Sequence, residues 1–89
     1  MKLKYDFVIT EIDDRYVAIP VGEGAEAFNG VIHLNSTARE IMELLLENKT
    51  FEEIIKSLSE KYNEASPDEI ASAVNTFIGT LKNEALLID

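Results

Sequence analysis

His33 is the only histidine of the chain, and there is no cysteine. These two facts remove most of the chemistry that side chains of a small protein can perform. Without cysteine there are no disulfides, thiol nucleophiles, cysteine-held iron-sulfur clusters or cysteine-ligated zinc. With one histidine, the two-histidine helical zinc motif and any multi-histidine site are out of reach. The carboxylates lack calcium-loop spacing, so no metal is expected. A histidine general base would need a nucleophile to activate, and no glycine-framed serine is present. His33 is therefore read as structural or partner-facing, and no catalytic residue is assigned.

The acidic residues have simpler roles. Asp13 and Asp14 are adjacent between two β-rich runs, a position that serves turn geometry before it serves as a carboxylate dyad. Asp68 and Glu69 suit a helix N-terminus, and Glu40, Glu43, Glu47, Glu52 and Glu53 read as solvated helix faces. Gly22, Gly24 and Gly30 lack dinucleotide or phosphate-loop spacing. No cofactor is expected, and the chain reads as a non-enzyme.

The elements that must position any site follow from length and patterning. Eighty-nine residues suffice for one domain, here taken to span residues 1–89, and a composition with 46% hydrophobic and 28% charged residues supports a packed core. The start of the chain has no signal-peptide core, and no run approaches the roughly 18 apolar residues of a membrane span. A cytoplasmic protein without membrane contact is the expectation. Seventeen acidic against eight basic residues, net −9, would repel a polyanion over most of the surface, which argues against nucleic acid as a partner.

DFVITEI and RYVAIP, separated by Asp13 and Asp14, have hairpin spacing. Pairing about that turn puts Val8, Thr10, Ile12, Arg15, Val17 and Ile19 on one face and Phe7, Ile9, Tyr16 and Ala18 on the other. GEGAEAFNG, residues 22–30, has no periodicity and reads as a mobile connection. VIHL, residues 31–34, is a third short strand, with Ile32 and Leu34 on one face and Val31 and His33 on the other.

Asn35, Ser36 and Thr37 then offer capping oxygens to a helix over about residues 36–47, with Asn48 as its stop. Thr50 and Glu53 have capping-box spacing before an amphipathic run from Phe51 to Tyr62. Ser66, Pro67, Asp68 and Glu69 combine cap, first-turn proline and capping box for a last helix. Its stripe of Ile70, Val74, Phe77 and Leu81 reads as core, widened by Ala73 on one side and Ile78 on the other. Leu86, Leu87 and Ile88 would close the bottom of the core.

Strands before helices imply an α+β fold, a three-stranded antiparallel sheet followed by three helices, like a winged helix-turn-helix. A short sheet has edges, and an edge beside a helix can receive a peptide as an added strand. The candidate docking residues are Val31, Ile32, His33 and Leu34 on the third strand and Ala71, Val74, Asn75 and Ile78 on the last helix. Alternatively that flank of the helix is simply solvated and Val74 simply core. An unpaired edge also permits a homodimer. A winged-helix DNA-binding or protein-interaction regulator is the alternative function, although the last helix offers only Lys82 against Asp68 and Glu69.

Leu34, Asn35, Ser36, Thr37 and Ala38, followed by an isoleucine-leucine helix, TFEEII at residues 50–55 and Tyr62, together resemble the PqqD family. These are small peptide chaperones of pyrroloquinoline quinone biosynthesis and the wider group of precursor-peptide recognition elements. The likeness extends over about residues 15–87. It implies a winged-helix-like, non-catalytic domain in which the leader of a ribosomally made precursor peptide pairs antiparallel with the third strand and lies against the third helix. It also implies delivery to a modifying enzyme, commonly a radical S-adenosylmethionine (radical SAM) protein, which would carry the iron-sulfur chemistry.

Overall fold

The computed structural model describes residues 2–28 and 30–88. Two β-rich runs form strands β2 (Asp6–Ile12) and β3 (Arg15–Val21), preceded by the short β1 (Lys2–Leu3). The hairpin closes as expected, with Ile12 opposite Arg15, Thr10 opposite Val17 and Val8 opposite Ile19. Asp13 and Asp14 both take positive φ, 49° and 64°, the pattern of a type I′ turn, whose twist matches that of the strands it joins. β4 (Ile32–Leu34) adds antiparallel to β3, giving the sheet order β2-β3-β4. Val31, expected in this strand, lies just before it and is exposed.

Three helices follow: α2 (Ser36–Leu46), α3 (Phe51–Lys61) and α4 (Pro67–Asn83). Their starts are those read from the sequence. Asn35 Oδ1 accepts from the Ala38 amide at 2.7 Å, and complete capping boxes stand at Thr50/Glu53 and Ser66/Glu69. Asn48, at φ 62°, ends α2, with the Lys49 amide donating to the Leu44 carbonyl. α4 ends in the same way, but with Ala85 in the left-handed position and the Leu86 amide donating to Leu81. Leu86 and Leu81, which bracket this helix stop, are both buried in the core.

The inner face of the sheet, with Phe7, Ala18 and Leu34, closes on Ile41, Met42 and Leu45 of α2, Ile54 and Leu58 of α3, and Ile70, Val74, Ile78 and Leu81 of α4. Two features depart from the expected pattern. Residues 22–30 are not all irregular: Glu23–Ala27 form a short helix, α1, while Asn29 lies outside the described residues. This helix packs closely at Gly24, where an added Cβ would lie 2.8 Å from Tyr5 Cβ and 3.3 Å from Pro20 Cβ. Only glycine lets this turn rest on the sheet. Secondly, Ile88 is 43% exposed and does not close the core, while Leu87 is half-buried. With Ile88 it forms β5, which pairs antiparallel with β1, Leu3 opposite Leu87 and Lys2 opposite Ile88. Among the described residues no helix is long and apolar enough to cross a membrane.

Ala85 carries a Cβ where glycine would be unstrained. Ala85→Gly is expected to raise stability by about 0.5–1 kcal/mol, measured by urea denaturation with an unchanged m-value.

Candidate functional site

The register of the sheet determines what its free edge presents. Ile12 and Arg15 flank a two-residue turn and so form the first hydrogen-bonded pair. Alternation then directs the peptide groups of Arg15, Val17 and Ile19 to β2 and those of Tyr16 and Ala18 to β4. Their partners are Leu34 and Ile32. His33, between them, must turn its own N–H and C=O to the open side, where no further strand pairs among the described residues. Its imidazole stands on the outer face of the sheet opposite Val17 and is exposed, whereas Ile32 and Leu34 point into the fold.

Immediately after β4 the chain turns at Asn35 into α2, and a cleft of about 360 Å³ opens between α2 and α4. Asn35, Thr37, Ala38 and Ile41 line one wall and Ala73, Thr76 and Phe77 the other. A second cleft, of about 230 Å³, extends along α4 past Ala73 toward Ile70, with Tyr62, Ala65 and Glu69 on its rim. Around the other side of the corner Arg15, Tyr16, His33 and Ser36 border a shallower hollow. The corner thus joins an unpaired strand edge to an apolar cleft, the two components needed to hold an extended peptide by backbone pairing and by alternate side chains.

The family model for coenzyme PQQ synthesis protein D (PqqD) matches residues 9–87. The chain belongs to the PqqD family. Among solved structures it is similar over its whole length to TbiB1, in the structure of TbiB1 in complex with the TbiA(beta) leader peptide. The two share 25% sequence identity and a TM-score of 0.73, covering 100% of each chain. A comparison with curated proteins found no significant match.

Within this PqqD-family domain, the residues singled out from the sequence are distributed unevenly. Val31, Ile32, His33 and Leu34 lie together at the edge. On α4, Val74 and Ile78 are core, at 0% and 5% exposure, while Asn75 faces solvent and Ala71 is half-buried. Phe77, expected in the core, is instead half-buried and forms part of the cleft wall. Ile78 and Phe77 have exchanged places because the core axis of α4 runs through Val74 and Ile78 rather than through Val74 and Phe77. The flank facing α2 is accordingly Ala73, Thr76 and Phe77, opposite to the flank of Ala71 and Asn75. A helical pattern locates a stripe but does not say which border meets which neighbour. The small residues Thr37 and Ala38 at the start of α2 were the available sign of a close approach there.

Glu40 also departs from its expected place: it is buried rather than solvated, at 8% exposure. Tyr62 donates to its Oε2 at 2.7 Å, Lys61 pairs with its Oε1, and Arg39 lies 3.9 Å away. Arg39 also pairs with Glu43 at 2.6 Å and stacks over the Tyr16 ring, 4.7 Å from its centroid. The cluster links β3, α2 and α3 beneath the corner. Burial pushes the Glu40 carboxyl up, but hydrogen bonds from Lys61 and Tyr62 and the charges of Lys61 and Arg39 outweigh it and hold it below the usual carboxylate range.

A carboxylate with a lowered folded pKa stabilises the fold above its unfolded pKa, and that contribution disappears as pH falls through the folded value. Glu40→Gln is therefore expected to cost about 1–2 kcal/mol near neutrality. In thermal melts followed from pH 7 downward, the gap between variant and wild type should close below the ordinary carboxylate pKa. A gap independent of pH would show that the charge of Glu40 contributes nothing.

Proposed function

We propose that this chain, acting as one domain, binds the leader region of a ribosomally made precursor peptide by strand addition to β4. It performs no chemistry itself and delivers the peptide to a modifying enzyme, such as a radical SAM protein, in the cytoplasm. The observation that carries this reading is the open backbone of His33 beside the α2–α4 cleft. Membership of the PqqD family and the full-length similarity to TbiB1, whose structure contains a leader peptide, support it.

The peptide backbone would bond to His33 and, where the chain stays extended, to Val31. Side chains on the inner side of the added strand would enter the cleft against Ala73, Thr76 and Phe77. Ile32, Leu34, Val74 and Ile78 would then support the site from beneath, and Ala71 and Asn75 would lie on the far flank of α4. A DNA-reading role would need a basic α4, whereas this helix has Asp68 and Glu69 in its first turn and Lys82 in its last.

Backbone recognition makes a sharp prediction about one residue. His33→Pro removes the outward N–H and places a ring on the open edge, where proline is tolerated by the strand itself. His33→Ala leaves the backbone intact. With a synthetic leader peptide that the wild-type protein binds, affinity by fluorescence anisotropy should fall about tenfold or more for His33→Pro and change about twofold or less for His33→Ala. Amide shifts in the labelled wild-type protein should concentrate at residues 31–34 and along α4. Saturating leader without such shifts would refute the reading.

A further inference from the structure

The two faces of the sheet are treated differently. Helices close the inner face, whereas among the described residues no helix packs on the outer one. Val8, Ile12, Val21 and Val31 are exposed there to 51%, 52%, 37% and 41%, around the half-buried Ile19 and the buried Val17. A sheet face turned to water ordinarily carries polar residues at these alternate positions. Here the register leaves Asp6, Thr10, Arg15 and His33 as the polar interruptions. A contiguous apolar surface of this kind marks an interaction site.

Its rim indicates what fits. Asp6 stands at one end of the hairpin and Asp13 and Asp14 at the other. Arg15 is the cation among them. Two copies stacked outer face to outer face would bring acidic rims together, so charge opposes self-association through this surface. A partner with an apolar centre rimmed by lysine and arginine is complementary. The face also runs out to Val31 and His33, at the open edge of β4. A strand added there would continue it, so that a protein seated on the face would touch the sheet and the added peptide together.

We infer that the outer face of the β2-β3-β4 sheet is the docking surface for the enzyme that modifies the bound peptide, engaged through an apolar enzyme patch with a basic rim. The identity of this partner rests on the peptide-binding reading above. Val8 and Ile12 lie on β2, away from the β4 edge, so the two sites are separable by mutation.

The test uses the full chain, the leader peptide, and a purified radical SAM peptide-modifying enzyme from the same organism. Val8→Asp/Ile12→Asp should keep the wild-type circular dichroism and bind leader within about twofold. Its affinity for the enzyme should fall about tenfold or more. Asp6→Asn/Asp13→Asn, which leaves the apolar residues and the turn intact, should slow enzyme association at low salt and flatten its salt dependence. Unchanged enzyme affinity and rate in both variants would overturn the inference. So would sedimentation showing a wild-type dimer that the aspartate pair dissociates while enzyme affinity is retained, which would assign the face to a second copy. If wild type fails to bind leader, the peptide reading fails separately, because titration with enzyme alone still reports on the face.

Discussion

Burial of α2 is the constraint on which the rest of this structure depends. The helix touches β1, β2, β3, β4, α3 and α4, and Ile41, Met42 and Leu45 are at most 1% exposed. Full burial of side chains of this size provides about 1.5–3 kcal/mol each, a large share of the marginal stability of a small domain. A helix enclosed on so many sides has little freedom in its angle. Its first turn must leave β4 at the Asn35 corner, and α4 must pass alongside it. The cleft between α2 and α4 is thus a consequence of core packing, bounded where Thr37, Ala38 and Ala73 are too small to fill the gap.

The same enclosure explains the polar cluster. Glu40 neighbours Ile41 in sequence and is carried inward with it, so its carboxylate must be paired or leave water at considerable cost. Lys61 and Tyr62 reach it from the end of α3, while Arg39 joins it to Tyr16 on β3. Charge and packing therefore act together to hold the β3–β4 pair against the helices. This bears on the proposed peptide site, because a strand edge that is already extended and fixed pairs with a peptide at lower cost. Preorganisation removes part of the ordering cost that binding otherwise carries.

Much of the architecture is legible in the amino-acid sequence. Period-two runs on either side of Asp13 and Asp14 specify the hairpin and its register, and the capping residues at Asn35, Thr50 and Ser66 mark three helix starts within a residue. These signals are local, each needing only neighbours within a few positions. The features that were not legible are long-range. The β1–β5 pairing joins the two ends of the described chain through four residues too few to show a pattern. The rest of α1 on Tyr5 depends on the missing side chain of Gly24, and the burial of Glu40 depends on partners more than twenty residues away.

For the candidate site the division is the same. The order of elements and the alternation of VIHL already specify a third strand with Ile32 and Leu34 on one face and Val31 and His33 on the other, because alternation is a property of the chain itself. The outward backbone of His33, by contrast, follows only from the register with β3. Which wall of α4 completes the site is not such a property. Phe77 and Ile78 differ by 100° about the helix axis, and both are apolar. Only the packing of α4 across α2 and α3 decides that Ile78 enters the core and that Phe77, Ala73 and Thr76 border the cleft.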